Sequence, residues 1–340
     1  MTDIRTVRAS GPADLLALVP RLLGFHPQDS VVVITVGDAI HRFHARVDLP
    51  ADPVTTEEVT SYLVDVASQN GVRALAVVVY SNDAPLVRVV VDELCRRMRR
   101  MRIDLVCAIR ADGRRWWRVG GARDQASAGT PYDVGSHPLM AEAVMEGTAV
   151  LGSREELADT LVGADPEDAS TVVRIAHEIT QRLRKAQEEP VASLRTHLIH
   201  EASWIQGRVR RFLTESQPLD AHDVARLGVL LSASIELRDV AWAEMTHEDA
   251  SAHVDLWRDV VRRSPPELQA APATLLGFAA WLSGNGALAW CAVDCAQQCD
   301  PDYSLAALLA DALAGAIPPS VWRPFPRESL TLFSPDGSSG

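Results

Sequence analysis

The first hydrophobic pattern in the chain has helical spacing. In residues 11–25, GPADLLALVPRLLGF, the apolar side chains Leu15, Leu16, Leu18, Val19, Leu22 and Leu23 recur at intervals of three and four, which marks an amphipathic helix. Ser10 suits its cap and Pro12 its first turn, where a missing N–H costs nothing. Gly24 ends the helix, and His26-Pro27 must run extended because the residue before proline avoids the helical region. Residues 31–36 form a nearly unbroken β-branched run, the pattern of a strand covered on both faces. Beyond the Gly37-Asp38 turn, Ile40, Arg42 and His44 alternate with His41, Phe43, Ala45 and Val47, so a hairpin partner follows until Pro50.

The period then returns to helical over about 56–69 (Val59, Tyr62, Leu63, Val66), and ALAVVVY at 74–80 is a second buried strand. A helix over about 84–101 carries the inner stripe Val87, Val90, Val91, Leu94, Met98 and Met101. Strands at 104–109 and 114–119 pair across Asp112-Gly113. This order describes a mixed sheet with flanking helices, with parallel neighbours where a helix joins successive buried strands. Residues 120–135 have no periodicity and many small side chains, which predicts a mobile loop.

After Ser136 the strand signals stop. Two short helices, the second with Ser153 and Glu156 in capping-box spacing, precede a long helix opening at Asp165-Pro166; Pro190, Pro218 and Ser264-Pro265-Pro266 separate those that follow. Residues 270–293 are uncharged and long enough to cross a bilayer, but Ser283-Gly284-Asn285-Gly286 predicts two shorter helices joined by a turn. In that hairpin Gly277, Ala280, Gly284, Ala289, Val293, Ala296 and Pro301 sit close to the small-residue and proline positions of one tetratricopeptide repeat. SLAALLADALAG follows as a capping helix. The fold class expected is α/β plus all-α: an N-terminal mixed sheet with flanking helices over 1–160, a helical bundle with a repeat-like hairpin over 161–325, and a flexible tail over 326–340.

Composition narrows the function classes. At 340 residues, 47% hydrophobic and 23% charged, the chain suits two ordinary globular domains. A net charge of −12 opposes coating of nucleic acid or an anionic membrane by the whole surface. Five cysteines (Cys95, Cys107, Cys291, Cys295, Cys299) without framework spacing fit free thiols in a reducing cytoplasm, and the N-terminus lacks the apolar core of a signal peptide. The chain contains no P-loop, no His-Glu-x-x-His, no Gly-x-Ser-x-Gly and no EF-hand loop. GNGALA at 284–289 imitates a dinucleotide fingerprint but joins two helices, so the required strand is missing.

Several motifs together resemble the bacterial domain-of-unknown-function family 4192: residues 11–34, RVDLP at 46–50, GTPYD at 129–133, SREELA at 153–158, and GNGALAW followed by DPDYSLAALLADAL. The resemblance spans about residues 8–325 and implies no mechanism. Members of that family often carry a cysteine cluster just before GTPYD; the matching stretch here, 124–128, has none, which removes the metal or redox role such a cluster would suggest.

Four groups of residues could carry chemistry of their own. The strand entrance (His26, Asp29, Ser30) and the exit of its hairpin partner (Arg46, Asp48) are brought together by a tight hairpin, and a histidine near a carboxylate and a hydroxyl suits acid-base or nucleophilic catalysis. The plainer reading is that His26 and Asp48 fix corners through the backbone. Residues 96–123 hold ten arginines against two aspartates, a local balance of +8 that leaves −20 for the remainder. Within them Arg97, Arg100, Arg114, Arg115, Trp116, Trp117 and Arg118 suit phosphates and stacked bases, or a protein surface, or a plain solvated face. His197, His200 and Glu201 share a helical turn, and Cys291, Cys295 and Cys299 share a stripe; both read better as structural than as metal ligands. The expected function is a cytoplasmic interaction or regulatory module acting through its helical domain on a protein partner, without metal, cofactor or membrane. The alternatives are an enzyme or ligand-binding α/β domain near His26 and Asp48, and nucleic-acid or nucleotide binding through the arginines.

Overall fold

A computed structural model of the chain describes residues 11–37, 44–120, 128–145, 150–163, 165–187 and 191–333. Ser10, most of the first hairpin turn with Asp38 and Ile40 to Phe43, most of the loop before GTPYD, and the last seven residues lie outside them. The chain divides into two compact units: Ile4–Arg154 with Ala314–Pro318, and Glu155–Leu313 with the residues from Pro319.

The first unit is an α/β structure. In chain order it comprises α1 (Pro12–Leu23), β1 (Ser30–Thr35), β2 (His44–Asp48), α2 (Pro53–Gln69), β3 (Ala74–Tyr80), α3 (Ala84–Arg100), β4 (Asp104–Ala111), β5 (Arg115–Arg118), β6 (Thr130–Pro131) and α4 (Pro138–Met145). The six strands form one mixed sheet in the order β2-β1-β3-β4-β5-β6. β3 and β4 are parallel, as the α3 crossover requires; β1 is antiparallel to both its neighbours, because the excursion through β2 reverses the chain before α2.

Local chemistry sets these boundaries. Gly24 adopts φ +78 and its N–H donates to the Pro20 carbonyl, closing α1. Asp52 caps α2, accepting from the Val54 and Thr55 amides, with Pro53 in the first turn. Asp83 caps α3 by accepting from Leu86 N. One face of the sheet, Val31, Val33, Leu75, Val77, Val79 and Ala108, packs on Leu63, Val64, Val66 and Ala67 of α2 and Val87, Val90, Val91, Leu94 and Met98 of α3. Each fully buried valine, leucine or methionine among them contributes about 1.5–3 kcal/mol. Met101 departs from the predicted stripe: α3 stops one residue earlier and Met101 is 44% exposed. The predicted loop at 120–135 is shortened by a sixth strand, since Thr130–Pro131 pairs with β5.

The second unit is helical: α5 (Arg154–Asp159), α6 (Pro166–Gln187), α7 (Val191–Glu215), α8 (Ala221–Ala233), α9 (Ile235–Ala243), α10 (Ala250–Arg263), α11 (Ala270–Leu282), α12 (Gly286–Cys299) and α13 (Ser304–Ala314). Ser234 both ends α8 and caps α9, its hydroxyl accepting from Leu237 N. The uncharged stretch splits at Ser283–Asn285 into the antiparallel hairpin α11–α12, and no helix among the described residues is long and apolar enough to cross a membrane. Gly277 lets the hairpin close: a Cβ there would lie 2.9 Å from Leu309 and 3.2 Å from the Ala289 carbonyl. Trp242, Phe278, Trp322 and Phe325 form one aromatic cluster. Leu330 and Leu332, within the segment expected as a tail, are buried.

Candidate functional site

Strand register draws one line across the whole sheet. Asp48 stands opposite Ser30, Ser30 opposite Tyr80, Tyr80 opposite Ala111, Ala111 opposite Trp116, and Trp116 opposite Thr130. Directly opposed residues share a face, and side chains two apart on a strand do too. Arg46 and His44 of β2 therefore join Asp48, Ser30 and Tyr80 on the face turned away from α2 and α3. The line runs along the carboxyl ends of the parallel strands β3 and β4, the end at which open α/β sheets carry ligand sites.

The sequence-predicted residues divide here. Ser30 is fully buried, and its hydroxyl has no hydrogen-bond partner among the described residues. Arg46 reaches along β2 to bind Asp48, Nη1 to Oδ1 2.6 Å, while its Nε is buried without a partner. Asp48 itself is exposed. Asp29 is also exposed, held at φ +36, and its carbonyl accepts from Leu49 N, which ties the β1 entrance to the β2 exit. His26 is fixed through its backbone: its N–H donates to Leu151 O, and Leu151 N donates to Gly24 O. The structure thus joins Ser30, Arg46 and Asp48 and shows His26 and Asp29 only as backbone corners.

Two members of the face escaped the sequence reading. Tyr80 is buried with its hydroxyl unpartnered, and burial, with Tyr132 nearby, drives its pKa far above the usual phenol range, so the proton stays on. His44 is held below the usual histidine pKa by burial and is neutral at pH 7. The legible signal was the alternation His44, Arg46, Asp48 along an edge strand.

The arginine segment is dispersed by the same alternation. Trp116 and Arg118 share one face of β5, Arg115 and Trp117 the other. Trp117 lies 3.7 Å under the Arg110 guanidinium and against Gly129, where a Cβ would come within 2.4 Å of the indole. Arg115 donates to the Ala128 and Gly129 carbonyls at 2.7 and 3.1 Å. Arg97 binds Glu93 at 2.7 Å and Glu57 at 3.0 Å. Arg100, Arg114 and Arg118 are exposed.

The domain-of-unknown-function family DUF4192 matches residues 12–320. The chain belongs to that family. No curated protein and no solved structure matches it. The match covers parts of both units, so DUF4192 is not the sheet alone. Three of the stretches that carry the resemblance reach the line described above, through Ser30, Asp48 and Thr130. Residues 24–30 supply Ser30 and RVDLP supplies Arg46 and Asp48. GTPYD supplies the Gly129 seat for Trp117 together with Tyr132, whose hydroxyl is hydrogen bonded by the Gly113 amide.

Other clusters in this DUF4192 chain have their chemistry already committed. His137 Nε2 donates to Asp14 at 3.0 Å while its Nδ1 accepts from Leu139 N, so neither ring nitrogen is left to act as a base. Glu201, beside His197 at 3.8 Å, accepts two hydrogen bonds from Arg226. Asp220, His222 and Asp223 could face one ion by geometry, yet Asp220 caps α8 and Asp223 binds the buried Arg208 at 2.6 Å. A guanidinium that close opposes a cation. The Cys295 thiol is pushed up to about 11 by burial and by Cys299, the reverse of a reactive or ligating thiol.

Proposed function

We propose that the α/β unit binds a small polar ligand on the sheet face formed by His44, Arg46, Asp48, Ser30 and Tyr80. One observation carries the reading: Ser30 Oγ, Tyr80 Oη and Arg46 Nε are all buried without hydrogen-bond partners among the described residues, on three adjacent strands in one register neighbourhood. Each such atom costs about 1–3 kcal/mol unless something satisfies it, and a group of them calls for an explanation other than packing. The five free cysteines support a reducing, cytoplasmic setting for this activity.

The reading as an interaction or regulatory module acting through the helical unit has less behind it. Every residue from Ala271 to Leu282 of α11, the helix that would line the open side of a repeat, is buried. Nucleic-acid binding loses its platform because Trp116 and Trp117 point to opposite faces.

The test is a thermal-shift survey of the full chain against nucleosides, sugars, amino acids and small organic acids, repeated on Tyr80→Phe and Ser30→Ala. A compound that raises the midpoint of the wild type but not of the variants supports the site. A survey without a hit, or with hits indifferent to both substitutions, sinks it.

A further inference from the structure

Each of the unpartnered groups on the face can donate a hydrogen bond, and one of them can do nothing else. Arg46 Nε carries a hydrogen and no lone pair, so it can only donate. The Tyr80 hydroxyl is held protonated by its burial, and Ser30 Oγ is free to turn its hydrogen toward whatever lies in front of it. Asp48, the one carboxylate in the register row, is already engaged by Arg46 Nη1 at 2.6 Å. That bond also fixes where the guanidinium lies. Arg46 sits opposite Val32, two residues from the row, and by reaching Asp48 it brings its charged head level with Ser30 and hence with Tyr80. The buried free groups are therefore two hydroxyls and one edge of a guanidinium.

Resting on the ligand-binding reading above, we infer that the ligand presents an oxyanion, a carboxylate or phosphate group, to Ser30, Tyr80 and Arg46. Hydrogen bonds from a charged donor to an anionic oxygen are about twice as strong as neutral ones. An oxyanion supplies several acceptor atoms, enough for donors on three adjacent strands, whereas a neutral hydroxyl or amide would answer one or two of them. His44, half-buried two residues along β2 from Arg46 and held below the usual histidine pKa by desolvation, adds no second positive charge to the neighbouring part of the face.

The experiment is calorimetric titration of the full chain with inorganic phosphate and with acetate at fixed ionic strength, with acetamide as the neutral counterpart of acetate. The expected result is saturable binding of one of the two anions, weakened at least tenfold in Tyr80→Phe and in Arg46→Lys, which keeps the charge but lacks the Nε donor. Tyr80→Phe removes one atom and leaves the ring to fill its place, so a folding failure does not mask the outcome. Anion binding that survives both substitutions unchanged overturns the inference. Binding of acetamide that depends on Tyr80, with no binding of either anion, overturns the oxyanion and leaves the ligand site standing. Absence of binding by all three probes overturns the oxyanion; if the wider survey also yields nothing, the ligand site falls with it.

Discussion

Tyr80 of β3 stands directly opposite Ser30 of β1, and the hydroxyl of each is buried without a hydrogen-bond partner among the described residues. A buried hydroxyl without a partner costs about 1–3 kcal/mol, so the pair is kept at a cost to the fold. Stability and binding should therefore respond to it in opposite directions.

Without ligand, Tyr80→Phe and Ser30→Ala should each stabilise the α/β unit by about 1 kcal/mol, since each removes an unanswered polar atom. In a unit of this size that corresponds to roughly 2–4 °C. Urea unfolding of the two variants checks the sign. A lower midpoint for Tyr80→Phe would mean that its hydroxyl has a partner after all.

Gly129 fixes how GTPYD sits on β5. With φ +72 and a Cβ that would come within 2.4 Å of Cε2 of Trp117, Gly129→Ala should cost about 2–5 kcal/mol, from overpacking of about 1–3 kcal/mol and left-handed backbone of about 1–2. Gly113→Ala separates the two contributions. It has φ +90 but open space around the new methyl, so it should lose only the backbone part, about 1–2 kcal/mol. Comparable losses for the two variants in urea would show that Trp117 yields.

His253 makes the helical unit sensitive to acid. Burial lowers its pKa to about 4 from the usual 6.5, with Nε2 donating to the Glu244 carbonyl at 3.3 Å. Its folded pKa lies below the unfolded one, so between these values the unfolded state binds more protons and stability falls with falling pH. The contribution is whole above about 6.5 and is lost through the interval down to about 4, on the order of 3 kcal/mol in all. Unfolding free energies at pH 7, 5.5 and 4.5 should show that slope, and His253→Gln should flatten it; an unchanged slope would move its origin to another group.

The elements were largely legible because each rests on neighbours in sequence. β3 begins and ends where the apolar run 74–80 does, the stripe Val87 to Met98 buries as spaced, and Ser283-Gly284-Asn285 breaks the uncharged stretch into a hairpin. The site was legible in part. Ser30, Arg46 and Asp48 follow from the hairpin register, which is local. Tyr80 was hidden because it closes a strand that reads as uniform core, and nothing near it in sequence announces that Ser30 faces it across fifty residues.

By itself, then, the sequence determined periodicity, caps and turns, and with them a mixed sheet followed by helices, since these depend on groups a few bonds apart. Only the tertiary structure decided which polar atoms are left without partners. That depends on strand order: the excursion through β2 turns β1 antiparallel to β3, sets Ser30 beside Tyr80, and brings the Arg46 guanidinium to the same row. The same pleat divided Trp116 from Trp117, which adjacency in sequence had made look like one platform.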